Sequence, residues 1–546
     1  MNECIWDKQG CANDLWIDLS MMMRKIAKEV LGESKGYIRR QKETWWWNNN
    51  VQEKIKFKKQ CFKDLQICDS EENWVKYRLA KKEAKRVVSI TRANFFEEFY
   101  KELGTKDGKQ KMYRIAKIKE QKSRDLDQVM CVKDEEGNVL VKDESIRDRW
   151  KNYFYNLFND RVETLNYTID DLGTSDRNSS FTDNIKISIS EVEDALKRMA
   201  KGKAVGPDGI PIEVWKCLGE DGVWWLTKLF NEILRSKKMP DDWRKSTLVP
   251  IYKDKGDIQN CVNYRGIKLM SHTMKLWEKV IERRLRNETR ISKNQFGFMP
   301  GRSTTEAIYL IRGLMERYRS IRKDLHIIFI DLEKAYDRVP RDLLWKILEK
   351  KEVQVEYIRA IQDMYEGVMT RVRTPVGKTI DFPIRIGLHQ GSALSPYLFN
   401  LVMVVVTESI QEEIPKCMLF ADDIVILGDS KDEINWKLEL WRTTLESKGF
   451  RISRSKTEYM CCSFGNRQTH EDIETVLGED VIRQVDKFKY LGSVIQEDCE
   501  VDGDINNRIQ AGWCKWRKAS GIICDRMVQT KVKGEFYRTA IRPVLS

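Results

Sequence analysis

Two adjacent carboxylates inside an apolar run constrain this chain more than any other sequence feature. Asp422 and Asp423 stand between the apolar residues 417–420 and 424–427. The run is short, rich in β-branched residues and bounded by a proline and a glycine, so it predicts a buried strand or a tight hairpin. Ionised groups in such surroundings cost several kcal/mol, roughly, unless a cation compensates them. The pair therefore predicts either a divalent-metal site or, on turn preferences alone, a solvated hairpin tip.

A third carboxylate favours the metal site. Residues 325–330 form another apolar run, which predicts a strand that ends directly on Asp331. The following residues, 332–340, predict a turn into a helix. Because the acids lie far apart along the chain, the fold must bring two strands side by side to unite them.

A series of short blocks between residues 190 and 495 surrounds these acids in a fixed order. The blocks are residues 202–211, 243–253, 263–267, 295–303, 331–340, 387–396, 420–423 and 487–492. In order and residue type they resemble the reverse transcriptases of non-LTR (LINE-type) retrotransposons, and among these the RTE-like groups. The resemblance implies an α+β fold, the polymerase right hand. Its palm would be an antiparallel sheet backed by helices, with fingers inserted before it and a partial thumb after it.

The resemblance also implies the chemistry of the three acids. Asp331 and Asp422 would bind two Mg²⁺ ions, with Mn²⁺ as a substitute, and Asp423 would support them as the third catalytic carboxylate. Such a metal pair activates a primer 3′-hydroxyl and stabilises the attacking and leaving oxygens of phosphoryl transfer. The predicted function is therefore that of an RNA-directed DNA polymerase, which acts on an RNA template, a DNA primer and deoxynucleoside triphosphates.

Three residues are implied to bind the incoming nucleotide. Tyr336 would lie beneath the sugar, where its ring would collide with a 2′-hydroxyl. The alternative is a tyrosine that only packs on the helix after the strand. Lys253 and Arg265 would grip the triphosphate, or else be ordinary surface cations.

Two loops and a lysine complete the predicted site. Gln390 and Gly391 would brace the nucleotide and the template, since a glycine permits close backbone approach. Lys456 follows a predicted helix over residues 433–448, which Gly449 would end, and would protonate the leaving pyrophosphate. The predicted primer grip consists of Tyr490, Leu491 and Gly492.

Composition agrees with a nucleic-acid partner. The 546 residues carry a net charge of +13, which favours polyanions through counterion release. The 13 cysteines form no Cys-x-x-Cys pair and only 4 histidines are present, so a zinc finger is not indicated. No apolar stretch has the length of a membrane span and the start lacks a secretory leader, so an intracellular chain without membrane contact is predicted. What such elements do implies a nuclear location with a cytoplasmic phase.

The chain is predicted to divide into successive regions. These are a helical basic region at 1–125, a hairpin, helix and linker at 126–189, the fingers and palm at 190–495, and a partial thumb at 496–546. Ser190 and Glu193 predict a capping box that opens the polymerase region. In the basic region, aromatics such as Trp45 and Trp74 would either stack on bases or form the core of a helical hairpin.

The end of the sequence leaves the function partly open. Helical spacing continues almost to Ser546, as in a truncated reading frame, and nothing before residue 190 matches an endonuclease. A partner protein or a missing domain would then supply the DNA nick. Two alternatives remain: a non-catalytic RNA-binding remnant of a decayed element, and an RNA-dependent RNA polymerase, which usually lacks an aromatic at the position of Tyr336.

Overall fold

The computed structural model describes most of the chain in two compact units. The described residues are 10–32, 48–68, 70–102, 131–159, 185–253, 255–465, 475–478, 480–524 and 530–545. One unit lies within Met1–Val30 and Asp125–Asp504, and the other within Leu31–Arg124 and Ile505–Ser546. In these described parts, no helix is long and apolar enough to cross a membrane.

The secondary structure is mixed. The α-helices are Ala12–Leu31, Asn49–Ile67, Glu71–Glu102, Asp143–Asn159, Ile189–Arg198, Ile212–Cys217, Gly219–Ser236, His272–Glu288, Thr304–Ser320, Ala335–Arg338, Arg341–Lys350, Val355–Tyr365, Ser395–Val406, Lys431–Glu446, Asp502–Ile523, Thr530–Phe536 and Arg542–Leu545. The strands are β1 (Val132–Lys133), β2 (Val139–Leu140), β3 (Lys245–Tyr252), β4 (Tyr264–Leu269), β5 (Leu325–Ile330), β6 (Met369–Thr374), β7 (Gly377–Lys378), β8 (Phe382–Pro383), β9 (Cys417–Phe420), β10 (Asp423–Gly428), β11 (Glu458–Cys462), β12 (Val476–Leu477), β13 (Asp480–Val481), β14 (Arg483–Gln484), β15 (Lys487–Tyr490) and β16 (Ser493–Gln496).

The sheet that carries the acids has the strand order β14-β11-β5-β10-β9. β5 lies between β10 and β11 and is antiparallel to both, with Ile424 opposite Ile330. β9 and β10 form a hairpin in which Asp423 pairs with Phe420. The strand predicted at 325–330 and the hairpin predicted around the paired acids are therefore both confirmed, and the fold unites them as expected.

Both faces of this palm sheet are buried. Ile328 and Ile330 of β5 belong to one hydrophobic core, while Ile327 and Phe329 belong to a second core on the opposite face. The second core is closed by the helix Thr304–Ser320. A sheet covered on both sides needs apolar residues at every position, which is why the strand sequences show continuous apolar runs without alternation.

A second sheet forms the fingers. Its order is β4-β3-β6-β7, with β8 also paired to β6. β3 and β4 form an antiparallel pair in which Ile251 lies opposite Arg265. The helix Asp143–Asn159 packs on this sheet through the buried rings of Trp150 and Phe154. The strands predicted from residues 243–253 and 263–267 are thus present.

The N-terminal helices confirm the helical prediction where they are described. In the first unit, Trp16 of the helix Ala12–Leu31 meets Trp243 edge-on, with ring centroids 5.3 Å apart. In the second unit, Phe62 and Tyr77 join two helices at 5.2 Å, and Trp74 is exposed. Trp45 and the predicted linker at 173–180 lie outside the described residues. The predicted domain boundaries stay predictions.

The predicted capping box was wrong by two residues. Ser188 caps the helix Ile189–Arg198, and its partner at the third helical position is Glu191. The predicted pair, Ser190 and Glu193, has the same spacing but lies inside the helix. Glu191 is selected because Arg284 binds its carboxylate at 2.7 Å, a tertiary contact that Glu193 does not make.

Candidate active site

The paired acids lie at a strained hairpin turn. Ala421 and Asp422 form the turn between β9 and β10. Ala421 is buried and has a φ of +59°, a conformation that residues with a Cβ atom rarely adopt. Such strain persists only where the surroundings impose it, and it is concentrated at functional sites.

The segment that imposes this turn is residues 294–297. The side-chain oxygen of Gln295 accepts hydrogen bonds from the backbone N–H groups of Ala421, at 2.9 Å, and Gly297, at 2.8 Å. Phe296 donates its N–H to the carbonyl of Leu419 at 2.8 Å. A Cβ atom on Gly297 would lie 2.5 Å from the Ala421 nitrogen, so only glycine fits there. This bracing role was not predicted, and no local pattern signals it because the partners are distant in sequence.

The three predicted catalytic carboxylates converge at one end of the palm sheet. Asp331 and Asp423 are the next residues along β5 and β10 beyond the paired Ile330 and Ile424. Burial, and then the neighbouring charge of Asp331, raises the pKa of Asp422. Burial, together with the negative charges of Asp422 and Asp331, raises the pKa of Asp423 to about 7. The carboxylates are therefore close enough to repel one another.

One cation already touches this group. The ammonium of Lys456 lies 2.7 Å from Oδ2 of Asp331, and the lysine side chain is 60% exposed. The structure thus brings the predicted pyrophosphate-binding lysine to the carboxylates, in contact with an acid. An exposed ion pair of this kind contributes at most about 1 kcal/mol to stability. Another cation can therefore readily replace the Lys456 ammonium at Asp331.

The donor set fits a hard divalent cation in chemistry and charge. Within the described parts of the chain, no group of three or more acidic, histidine or cysteine side chains is placed so that it could hold a metal ion. Asp422 and Asp423 nevertheless carry half-buried carboxylates whose pKa values are raised by burial and by neighbouring negative charge. Carboxylate oxygens are the ligands that magnesium prefers, and its charge would relieve this repulsion.

Tyr336 lies beside the acids. Its ring stacks on Phe399 with centroids 4.4 Å apart and meets Phe298 edge-on at 6.4 Å. Burial and the charge of Asp422 raise the pKa of its hydroxyl. That hydroxyl has no hydrogen-bond partner among the described residues. The tyrosine therefore packs against aromatic rings and also borders the carboxylates. Its role at the sugar of the nucleotide stays a prediction.

The predicted phosphate-binding cations come from the fingers hairpin. Lys253 and Arg265 are both exposed. Although the side chain as a whole is exposed, partial burial of its ammonium, and then the charges of Lys456 and Arg265, lower the pKa of Lys253. The charge of Arg265 in turn lowers the pKa values of Asp422 and Asp423, against their net upward shift. The fingers hairpin thus brings positive charge within electrostatic range of the acids.

The loop with Gln390 and Gly391 contacts Asp337 and Lys268. The side-chain amide of Gln390 donates to Oδ2 of Asp337 at 3.2 Å, and the backbone carbonyl of Gln390 accepts from the backbone N–H of Lys268 at 2.9 Å. Gly391 has a φ of +110°, and a Cβ atom there would lie 2.6 Å from the Lys268 carbonyl oxygen. The expected close backbone approach is present, with another protein segment as the neighbour.

The predicted primer grip is a tight hairpin against the palm. β15 and β16 pair through Tyr490 and Ser493, and Leu491 and Gly492 between them have φ values of +48° and +95°. Tyr490 is buried, with its ring centroid 5.8 Å from that of Phe329. Burial and the charge of Asp423 raise the pKa of its hydroxyl. The hairpin therefore borders the catalytic end of the sheet.

Comparison with known proteins agrees with this arrangement. Residues 251–495 match the family described as reverse transcriptase (RNA-dependent DNA polymerase). Residues 251–495 are a reverse transcriptase domain. Its relatives place it in the non-LTR, LINE-type group. This family match and the palm topology confirm the right-hand polymerase fold, and the matched segment contains all of the site residues described above.

The relatives of this reverse transcriptase domain are retrotransposon proteins. The probable RNA-directed DNA polymerase from transposon BS of Drosophila melanogaster is 27% identical over 67% of this chain and 42% of its own length. The R2 Pol polyprotein of Nasonia vitripennis is 26% identical over 61% of this chain and 34% of its own. The RNA-directed DNA polymerase from mobile element jockey of Drosophila melanogaster is 25% identical over 66% and 40%. The chain thus spans less than half the length of these relatives.

A solved structure also aligns with the chain that contains this reverse transcriptase domain. It is apo telomerase from Candida tropicalis, truncated from its C-terminal domain, with a TM-score of 0.34 and 14% identity. The alignment covers 53% of this chain and 59% of that chain. The fold assignment rests on the family match and on the palm topology, since a score of this size does not establish a shared fold.

Proposed function

We propose that this chain is an RNA-directed DNA polymerase that extends a DNA primer on an RNA template with deoxynucleoside triphosphates. The observation that carries the proposal is the convergence of Asp331, Asp422 and Asp423 at one end of the palm sheet. Burial, and after it repulsion from the neighbouring carboxylates, raises the pKa values of Asp422 and Asp423, which supports the proposal. Acids held together against repulsion are favourable where a metal ion and a phosphate substrate neutralise them.

The proposed cofactor is Mg²⁺, two ions, with Mn²⁺ as a substitute. Asp331 and Asp422 would hold it, with Asp423 in support. When bound, the metal supplies charge to the attacking hydroxyl and the leaving phosphate. The protein's own contribution is to fix these carboxylates through the braced turn at Ala421. Asp331 can bind the metal only after Lys456 has left its carboxylate. The Lys456 ammonium is then free to donate a proton to the leaving pyrophosphate.

The remaining residues would bind and orient the substrates. Tyr336 presents its ring to the sugar of the incoming nucleotide and excludes a 2′-hydroxyl. Lys253 and Arg265 neutralise the triphosphate from the fingers. Gln390 and Gly391 brace the nucleotide against the template, and the hairpin at Tyr490, Leu491 and Gly492 holds the primer end. Positioning of this kind is most of what phosphoryl transfer requires from a protein.

The wider setting is also a proposal. An RNA template and a DNA primer fit the net charge of +13. A polymerase that starts on chromosomal DNA would act in the nucleus and pass through the cytoplasm after synthesis. The nick that creates the primer would come from a partner protein or from a further domain.

Primer extension on a primed RNA template tests the function. We expect the purified chain to add deoxynucleotides in Mg²⁺, to stop when the metal is chelated, and to lose at least about a hundredfold in rate on Asp422→Asn. The matched control is Asp342→Asn, an exposed acid outside the site, which should extend at the wild-type rate.

Other outcomes assign the alternatives. Preferred incorporation of ribonucleotides would indicate an RNA-dependent RNA polymerase. RNA binding without any incorporation, identical in wild type and Asp422→Asn, would indicate a non-catalytic remnant and would refute the proposal.

A further inference from the structure

A buried pair of opposite charges lies behind the nucleotide pocket. Lys268 on β4 is 1% exposed and Asp337 in the helix Ala335–Arg338 is 8% exposed. Burial lowers the pKa of Lys268 and raises the pKa of Asp337. The charge of each residue opposes the shift that burial causes in the other. Buried ion pairs often stabilise a fold no better than apolar residues would. A role in holding the neighbouring elements in position would account for the burial of Lys268 and Asp337.

Lys268 is buried within electrostatic range of Asp337, Arg341 and His389. Its ammonium lies 4.5 Å from the ring centroid of Phe158 and has no hydrogen-bond partner among the described residues. Its main electrostatic compensation is therefore the Asp337 carboxylate. Removing the Asp337 charge would leave the buried Lys268 ammonium without its acidic neighbour, whereas Asp337 would keep the more distant charges of Lys334 and Lys253.

This pair contacts the Gln390 loop from two sides. Asp337 accepts the side-chain amide of Gln390 at 3.2 Å, and the Lys268 backbone N–H donates to the Gln390 carbonyl at 2.9 Å. The loop is also seated on the backbone of the Asp337 helix, because the Leu388 N–H donates to the Tyr336 carbonyl at 2.7 Å. At Gly387 a Cβ atom would lie 2.4 Å from the Asp337 carbonyl oxygen.

Each element joined by the pair carries a residue of the proposed nucleotide site. β4 carries Arg265, the helix carries Tyr336 directly before Asp337, and the loop carries Gln390. A change in the pair would therefore move the sugar-facing ring, the phosphate-facing cation and the template-facing loop relative to one another.

We propose that Asp337 and Lys268 are positioning residues for nucleotide selection, which set the spacing between Tyr336 and Gln390 and so the rejection of ribonucleotides. The inference rests on the proposed function for the identity of the substrate. It does not require turnover, because selection is already expressed in nucleotide binding. A displacement of about 1 Å in such a group can change a rate by up to about a hundredfold.

The variants separate charge from hydrogen bonding. Asp337→Asn keeps an oxygen for the Gln390 amide and removes the charge, whereas Asp337→Ala removes both. Lys268→Met keeps the length of the side chain and removes the ammonium. Asp342→Asn and Lys346→Met make the same charge changes at exposed positions of the helix Arg341–Lys350 and serve as controls.

Two measurements are made on the full chain. The first is equilibrium binding of a fluorescent deoxynucleoside triphosphate and of its ribonucleotide counterpart, in Mg²⁺. The second is KM and kcat for both nucleotides in primer extension, with the melting temperature recorded for each variant. We expect Asp337→Ala to reduce the preference for the deoxynucleotide by about tenfold, mainly through KM. Asp337→Asn should retain part of the preference, and adding Lys268→Met to Asp337→Ala should cost less than the two single effects combined.

The outcomes distinguish this inference from the proposed function. If wild type binds deoxynucleotides preferentially but extends no primer, and Asp337→Ala loses the preference, the inference stands and the proposed function fails. If Asp337→Ala and Lys268→Met lower only the melting temperature and keep the wild-type preference, the pair is purely structural and the inference is overturned. A wild-type chain that binds both nucleotides equally, or neither, overturns it as well.

Discussion

The side-chain oxygen of Gln295 accepts a hydrogen bond from the backbone N–H of Ala421 at 2.9 Å, although the two residues are far apart in the sequence. Through this bond a residue outside the acidic motif fixes the turn that presents Asp422. The geometry of the carboxylates therefore depends on the close packing of two loops as much as on the acids themselves.

Replacement of Gly297 by alanine should displace the catalytic turn. The new Cβ atom would lie 2.5 Å from the Ala421 nitrogen, a backbone atom that cannot move aside alone. We expect primer extension to fall by about tenfold or more, with a loss of about 1–3 kcal/mol in stability. Extension rates and thermal melting measure both effects. Gly313→Ala is the control, since nothing lies within 4 Å and helical alanine is favourable. Equal activity of the two variants would contradict the proposed bracing.

Tyr336 should select the sugar through its ring and not through its hydroxyl. The hydroxyl is buried without a partner among the described residues, so Tyr336→Phe removes an unsatisfied polar group. We expect Tyr336→Phe to keep the wild-type preference for deoxynucleotides and Tyr336→Ala to admit ribonucleotides. Competition between the two nucleotides in primer extension measures the preference. Unchanged discrimination in Tyr336→Ala would exclude the ring from this role.

Lys456 should compete with metal for Asp331. Its ammonium lies 2.7 Å from the carboxylate, so Lys456→Met removes a competing cation and a repelling charge. We expect Mn²⁺ to bind this variant a few fold more tightly, roughly what an exposed ion pair is worth. Titration followed by electron paramagnetic resonance gives the affinity without any need for turnover. Lys346→Met, at an exposed site elsewhere, should bind as wild type does; the same affinity in Lys456→Met would show that the contact does not restrain the site.

Glu191 should stabilise the larger unit in a pH-dependent way. Burial opposes its ionisation, but hydrogen bonds from Arg284 and Ser188 outweigh this and lower its pKa to about 2. A lowered folded-state pKa gives stability that is present above the ordinary pKa and is lost as the pH falls toward about 2. Glu191→Gln should therefore cost about 1–3 kcal/mol at neutral pH, and less in acid.

Thermal melting across this pH range checks the prediction. Glu193→Gln is the matched control, because its partner Lys197 is an exposed neighbour on the same helix. It should change stability by less than about 0.5 kcal/mol at any pH. A cost for Glu191→Gln that did not shrink in acid would mean that the carboxylate charge is not what stabilises the helix.

Local patterns predicted the parts of the site that local structure determines. β5 ending on Asp331 and the hairpin around Asp422 follow from apolar runs bounded by turn residues. The capping box could not be placed by pattern alone, because Ser188 and Ser190 each have a glutamate three residues later. The choice between them is made by Arg284, which lies in a distant helix.

Long-range partners account for what the sequence analysis missed. Gln295 brings its amide to Ala421, and Lys268 lies buried beside Asp337, only because separate elements pack together. From the sequence alone, a lysine on β4 is expected at the surface. Lys268 is buried instead, and the Phe158 ring covers its ammonium. Gln295 and Asp337 lie inside the blocks that carry the family resemblance, but those blocks do not show which distant residues they contact.

The position of β5 in the sheet also sets the order in which the palm can form. β5 is the palm strand synthesised first, and its neighbours β10 and β11 both come later in the chain. Until about residue 428 has left the ribosome, both edges of β5 lack their partners, and the edge for β11 stays open until about residue 462. Open strand edges promote aggregation. We expect nascent chains stalled before β11 to be far more sensitive to protease than chains stalled after it. Pairing of β11 covers the last open edge of β5, and this happens well after all three acids have been synthesised. At that step the growing chain loses the open edge through which it could aggregate with other chains.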